Sequence, residues 1–142
     1  MKNFIGILLV LFAFAKAYSQ DITGTWKTID ETSGIVKSHI FIYEENGKYY
    51  GKVLKVLDPD APETPLCANC DGDFKNAPIE GLVIMKDLVK KGKTYKNGTI
   101  LDPENGKVYD CKLWLDQNNS DRLKVRGYVL FLYRTQTWVR LK

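Results

Sequence analysis

From Val108 to Leu141 the chain reads VYDCKLWLDQNNSDRLKVRGYVLFLYRTQTWVRL, and the parity of this stretch decides the fold. Tyr109, Cys111, Leu113 and Leu115 fall on one side of a two-residue period, with Asp110, Lys112 and Asp116 on the other. Leu123, Val125, Gly127 and Val129 then alternate with Lys124, Arg126 and Tyr128, and Thr137, Val139 and Leu141 with Gln136 and Arg140. Successive side chains of a strand point to opposite faces, so this alternation marks strands with one buried and one wetted face, the habit of antiparallel sheet. The connections Asp102 to Gly106 and Gln117 to Asp121 are hairpin-sized, so sequential strands should pair with their neighbours.

The same texture extends backwards. Turn dipeptides recur at Ser33-Gly34, Asn46-Gly47, Asp71-Gly72, Asn97-Gly98 and Asn105-Gly106, separated by runs rich in β-branched and aromatic residues. Strands are expected near 24–29, 36–43, 48–57, 81–86, 94–101, 107–116, 122–130 and 135–141. Gly81 to Lys91 is ambiguous, because Leu82, Met85, Leu88 and Val89 would also stripe a short helix. Eight such strands most economically form an all-β, antiparallel up-and-down barrel, which leaves no long unpaired edge. A barrel of that size is just wide enough to hold side chains or one small ligand. Charges on one face of each alternating strand, such as Lys112, Lys124 and Arg126, argue against a membrane-spanning barrel.

Met1-Lys2-Asn3, an apolar run from Phe4 to Ala15 and the small residues Ala15, Ala17 and Ser19 have the form of a secretory signal, residues 1–19. The run is too short for a membrane helix, so no transmembrane anchor is expected in the mature chain, residues 20–142, a single domain. Without Lys2 and Lys16 the 21 basic residues become 19 against 17 acidic ones, a balance of +2 that disfavours nucleic acid as a partner.

One segment breaks the rhythm. Asp58 to Glu80 holds Pro59, Pro62, Pro65 and Pro78 together with Cys67 and Cys70. It reads either as a lid over one mouth of the barrel or as a surface excursion held by a disulfide. An exported chain meets oxidising conditions, where thiols pair. A Cys67–Cys70 bridge would be worth roughly 2 kcal/mol and a bridge from the motif to Cys111 roughly 4 kcal/mol. Proximity favours the shorter, and Cys111 suits the apolar face of its strand as a buried thiol. Thioredoxin-like chemistry needs the C-x-x-C to open a helix beside a βαβ unit, which a Pro-rich loop in an all-β chain does not provide. Cys67, Cys70, Cys111 and His39 match a zinc set by count only, so no metal and no cofactor are expected.

Catalytic constellations are thin. The chain has one histidine and no Gly-x-Ser-x-Gly elbow, and Asp102-Pro103-Glu104-Asn105-Gly106 is foremost a hairpin turn. No enzyme is therefore expected; a site in the Asp102–Tyr109–Arg126 region is the enzymatic alternative, and protein binding through the 58–80 loop another. The preferred reading is a small, partly apolar ligand held inside the barrel. The candidate contacts are Trp26, Tyr109, Arg126, Gln136 and Trp138. Two qualifications belong to that set. Trp26 and Arg140, on the first and last strands, suit a stacked clamp closing one end of the barrel, and alternation alone would turn Arg126 and Gln136 outward.

Several strings occur in an order that resembles one exported bacterial family, domain of unknown function 2147. They are Gly24-x-Trp26, Cys67-x-x-Cys70, Gly81-Leu82-Val83-Ile84, Ile100 to Cys111 with its Asp-Pro-Glu-Asn-Gly, Leu123 to Tyr128, and Arg134-Thr135-Gln136-Thr137-Trp138. The resemblance implies a small periplasmic or secreted barrel similar to lipocalins, and hands over no catalytic residues. The segment Val129 to Tyr133 departs from the expected pattern, which is slightly longer with a glycine before the arginine, so the turn into the last strand should differ.

Overall fold

A computed structural model describes residues 21–142; the signal reading, residues 1–19, lies outside the described residues. Eight strands, β1 (Gly24–Ile29), β2 (Val36–Glu45), β3 (Lys48–Val56), β4 (Val83–Lys91), β5 (Thr94–Leu101), β6 (Val108–Leu115), β7 (Arg122–Val129) and β8 (Leu132–Arg140), follow one another around a closed antiparallel barrel. The only helical turn among the described residues is a 3-10 turn at Gly72–Phe74. Every strand pairs with its sequence neighbour, and β1 closes on β8 through just two pairs, Trp26 with Arg140 and Lys27 with Val139. This is the architecture the alternation predicts.

Gly81 to Lys91 resolves as strand, not helix, although its pattern is genuinely mixed. Met85 and Leu88 are both buried because Asp87, between them, takes a positive φ of 60° and resets the strand's parity; Ile84 is buried as well. Asn97, with φ 67°, does the same in the facing strand. At this double bulge the backbones close in on each other: any Cβ on Gly98 would strike the Lys86 carbonyl oxygen.

The last strand differs from expectation in two ways. It begins at Leu132 after a two-residue turn, Leu130-Phe131, with Leu130 at φ 54°. Its faces are also reversed. Trp138, opposite Leu123 in the register, is the buried residue, whereas Leu141 is exposed. The larger apolar body takes the interior, and residues of the same parity, Gln136 and Arg134, go inward with it.

The core runs as one cluster along the barrel axis. Trp26, Ile40, Ile42, Met85, Leu88, Leu113 and Leu123 are all essentially inaccessible, and no described charged side chain is buried among them. One end is therefore packed solid by the protein itself.

Candidate functional site at the barrel mouth

The two ends of the barrel are built differently. At the closed end, where β1 begins and β8 finishes, the Arg140 guanidinium lies 4.3 Å over the Trp26 ring. It donates to the backbone carbonyls of Thr23, Asp21 and Ser120 at 3.1, 3.1 and 3.3 Å, and its Nε pairs with Asp121 at 3.3 Å. Trp26 donates from Nε1 to the Ile22 carbonyl at 2.8 Å. The hydroxyls of Tyr49 and Tyr95, whose rings meet edge to face at 4.8 Å, both donate to the Asp21 carboxylate. Among the described residues no buried side-chain nitrogen or oxygen at this end lacks a partner. The clamp expected from Trp26 and Arg140 is present, and the Trp26 ring beneath the guanidinium is inaccessible.

At the other end, the mouth, the chain turns at 30–35, 57–82, 102–107 and 130–131. The long loop is not a free arm. Cys67 and Cys70 form a disulfide, both are buried, and an isolated bridge joins Leu66 to Pro78. The Cys67 sulfur lies 3.5 Å from the Pro103 carbonyl oxygen, a contact rather than a hydrogen bond because the sulfur carries no proton. Asn69 donates from Nδ2 to the Glu104 carbonyl at 2.8 Å. Lys37, at the start of β2, pairs with Asp58 at 3.4 Å and reaches Glu104 at 3.0 Å, tying loop, strand and β5–β6 turn together. The loop thus covers the β2–β6 side of the mouth and leaves the β1, β7 and β8 side uncovered.

On that uncovered side the inward positions change character. Thr28 and Ser38 share a hydrogen bond of 2.6 Å one register step above Trp26 and Ile40. Gly127 sits opposite Cys111, with Tyr109 one step above it. Gln136 accepts from Trp138 Nε1 at 3.3 Å, and Arg134 follows at the rim. Thr28, Ser38, Tyr109, Gly127 and Gln136 are all partly exposed, whereas inward residues deeper in the barrel are sealed. Partial exposure of inward positions thus extends from the rim down to Gln136, above the buried Trp138. Sequence reasoning passed over Arg134, Thr28 and Ser38. For Arg134 a signal existed, since it shares its parity with Trp138.

The five candidate contacts therefore separate. Tyr109 and Gln136 line the mouth, Trp138 lies beneath Gln136, and Trp26 closes the far end. Arg126 is on the outer wall, stacked 4.8 Å over Trp114 and 4.2 Å over Tyr133, with its Nε donating to Thr135 Oγ1 at 2.8 Å. Facing Lys112 in the register, it points away from the lumen because even-numbered residues of β6 and β7 do so throughout. The Asp102–Tyr109–Arg126 arrangement is consequently not assembled, as Tyr109 and Arg126 occupy opposite faces of the sheet. Nor is the Cys₃His set: two of its thiols are bonded to each other, and His39 faces Lys27 and Lys55 on the outer wall.

Clefts open to solvent include one on the outer wall and one at the rim, which Tyr109 also lines. One, of about 350 Å³, lies over β5 and β6 against Asn97, Asp110 and Lys112. The other, of about 580 Å³, runs along the rim between Asp71, Lys107, Tyr128 and Leu130.

Cys111 is the free thiol, and burial pushes it up to about 12 from an ordinary 9.0. Burial pushes the Tyr95 hydroxyl up to about 12 as well, helped by the charge of Asp21. A raised value means that the folded state holds a proton which the unfolded chain releases earlier. Stability is therefore intact below about pH 9 and is lost as the pH climbs toward about 12. The urea midpoint should fall across that window and Cys111 should resist thiol reagents until the barrel unfolds; a midpoint that holds or rises overturns the burial argument.

Residues 24–140 match the family described as "Uncharacterized protein conserved in bacteria (DUF2147)". The chain belongs to this family. Among solved structures it is similar to protein HP1028 from Helicobacter pylori, described as belonging to the lipocalin family. The TM-score is 0.72 and the identity 23%, over 86% of this chain and 84% of that one. At that identity the likeness concerns the fold, and the fold is lipocalin-like. No curated protein matches the sequence. Among the described residues no helix is long and apolar enough to cross a membrane.

Proposed function

We propose that the protein is an exported carrier or sensor that takes a small, partly apolar molecule into the open half of its barrel, without chemistry of its own. The observation that carries this reading is the gradient of exposure along the lumen. On the β1, β7 and β8 side inward positions are sealed by aromatic and aliphatic bodies at the closed end and are partly exposed, small or polar at the mouth, whereas under the long loop Val53, Leu82, Leu101 and the disulfide stay buried. A ligand would rest its apolar part on Trp138, Val125 and Cys111 and turn its polar part to Gln136, Tyr109 and Arg134. That pairing of an apolar floor with a few placed polar groups is the usual make-up of small-molecule sites. The lipocalin-like fold supports the reading, and the Cys67–Cys70 disulfide is compatible with export.

The test is a fluorescent lipophilic acid such as cis-parinaric acid, titrated against wild type and Gly127→Phe. A Cβ on Gly127 meets nothing closer than Tyr109 Cβ at 3.8 Å, an ordinary contact, and circular dichroism checks that the larger side chain leaves the fold intact. The variant should fold normally and bind the probe at least about tenfold more weakly, a loss of about 1.4 kcal/mol. Unchanged affinity in a folded Gly127→Phe protein would remove the mouth from consideration.

A further inference from the structure

The β7–β8 hairpin ends in Val129-Leu130-Phe131-Leu132-Tyr133, five apolar residues in succession, all exposed. Leu130 is 91% and Phe131 89% accessible, more than any other large apolar residue described. Val108, at the start of the adjoining strand, is 62% exposed, and Ile35 is exposed in a turn at the same end of the barrel. A run of this kind is unfavourable in water unless something covers it.

Its surroundings say what. Arg126 is stacked on the Tyr133 ring, which holds a cation level with the base of the apolar tip, and Arg134 follows directly in the chain. Lys107 lies beside Val108. An apolar point, then an aromatic ring, then a collar of cations is the order in which a bilayer presents acyl chains, interface and anionic headgroups. Shape points the same way. The tip is convex and formed by a two-residue turn, so a protein partner would need a matching pocket, whereas a bilayer needs none. A second copy of the chain is a poor occupant, because a stable dimer buries about 800 Å² per partner over 20–30 residues. The tip offers five. Asp71 and Asp110 line the rim cleft together with Lys107, Val129 and Leu130, so the cleft beside the tip carries both signs of charge.

We infer that the β7–β8 hairpin is a membrane-docking tip, which sets the uncovered side of the mouth against a phospholipid surface containing anionic headgroups. Leu130 and Phe131 supply the insertion, and Arg126 and Arg134 the headgroup contacts. Arg134 is shared with the proposed ligand site, so the variant at Leu130 and Phe131, which touches no proposed ligand contact, is the arm that separates the two readings.

The barrel is complete within residues 21–142, so that chain is mixed with vesicles of phosphatidylcholine alone or with one third phosphatidylglycerol, and the bound fraction is read by flotation. Wild type should float with the mixed vesicles and less with the neutral ones. The double variant Leu130→Ser, Phe131→Ser lies on an exposed turn and should keep its fold, checked by circular dichroism. It should partition at least tenfold more weakly. Arg134→Glu should reduce the difference between the two compositions and leave binding to neutral vesicles unchanged. No flotation of wild type, equal flotation of the double variant, or equal affinity for both compositions each overturns the proposal. So does a dimer, seen by light scattering, that the double variant abolishes.

Discussion

Replacing Trp26 with alanine is expected to lower the unfolding free energy by about 3–5 kcal/mol, the range for truncating a buried aromatic residue. For a domain of this size that is a fall in Tm on the order of 12–20 °C. Three effects add. The side chain is fully buried, its indole nitrogen satisfies the Ile22 carbonyl, and its ring supports the Arg140 guanidinium that gathers the carbonyls of residues 21, 23 and 120. The ladder between β1 and β8 has two residue pairs, one of which is Trp26 with Arg140, extended by the Leu141 N–H donating to the Thr25 carbonyl, so loss of the ring also weakens closure of the barrel. Urea denaturation followed by tyrosine fluorescence measures it. A cost below about 1 kcal/mol would mean that closure does not depend on this end.

The second large effect is expected at Gly106. This residue has φ 74°, which costs an L-residue about 1–2 kcal/mol, and a Cβ there would collide with the Asn69 carbonyl. Gly34 has nearly the same φ, 73°, with nothing within 4 Å of the added carbon. Gly34→Ala therefore reports the backbone cost alone, and the excess in Gly106→Ala reports the contact between the loop and the β5–β6 turn. Gly106→Ala should be the more destabilising by about 1–3 kcal/mol, as expected when backbone atoms must move apart. Hydrogen exchange should show the loss of protection concentrated in residues 57–82 and 102–107 rather than in β7 and β8. Equal costs for the two alanines would mean that the loop is not held by this contact.

Much of this architecture is legible before any coordinates. The alternation from Tyr109 to Val125 separates the two faces of β6 and β7 as they are found; the ligand contact expected of Arg126 runs against that alternation, and Arg126 lies outside. The clamp of Arg140 on Trp26 follows from strand order alone once the barrel is closed. Two things are harder to read. In β4 the bulge at Asp87 shifts the parity mid-strand, so Met85 and Leu88 are both buried three residues apart and imitate a helical stripe. In β8 the sequence offers two apolar sets of opposite parity, Val139 with Leu141 and Trp138 alone, and volume decides what a count of residues does not. That reversal is what brings Gln136 and Arg134 to the mouth. The run Val129 to Tyr133 has no alternation at all, so the turn at Leu130-Phe131 gives no signal and the start of the strand is set three residues late.

The knot of hydrogen bonds around Arg140 gathers residues 21 and 140 at one pole, because the guanidinium that stacks on Trp26 also grips the Asp21 carbonyl. Lys142 lies at that pole too, paired with Asp121 at 2.7 Å. A tether grafted after Lys142 would therefore hang the molecule from a sensor chip or bead with its opposite rim facing the bulk, unobstructed. Loops could be exchanged at 57–82 or 130–131 on such an immobilised scaffold without disturbing its point of attachment.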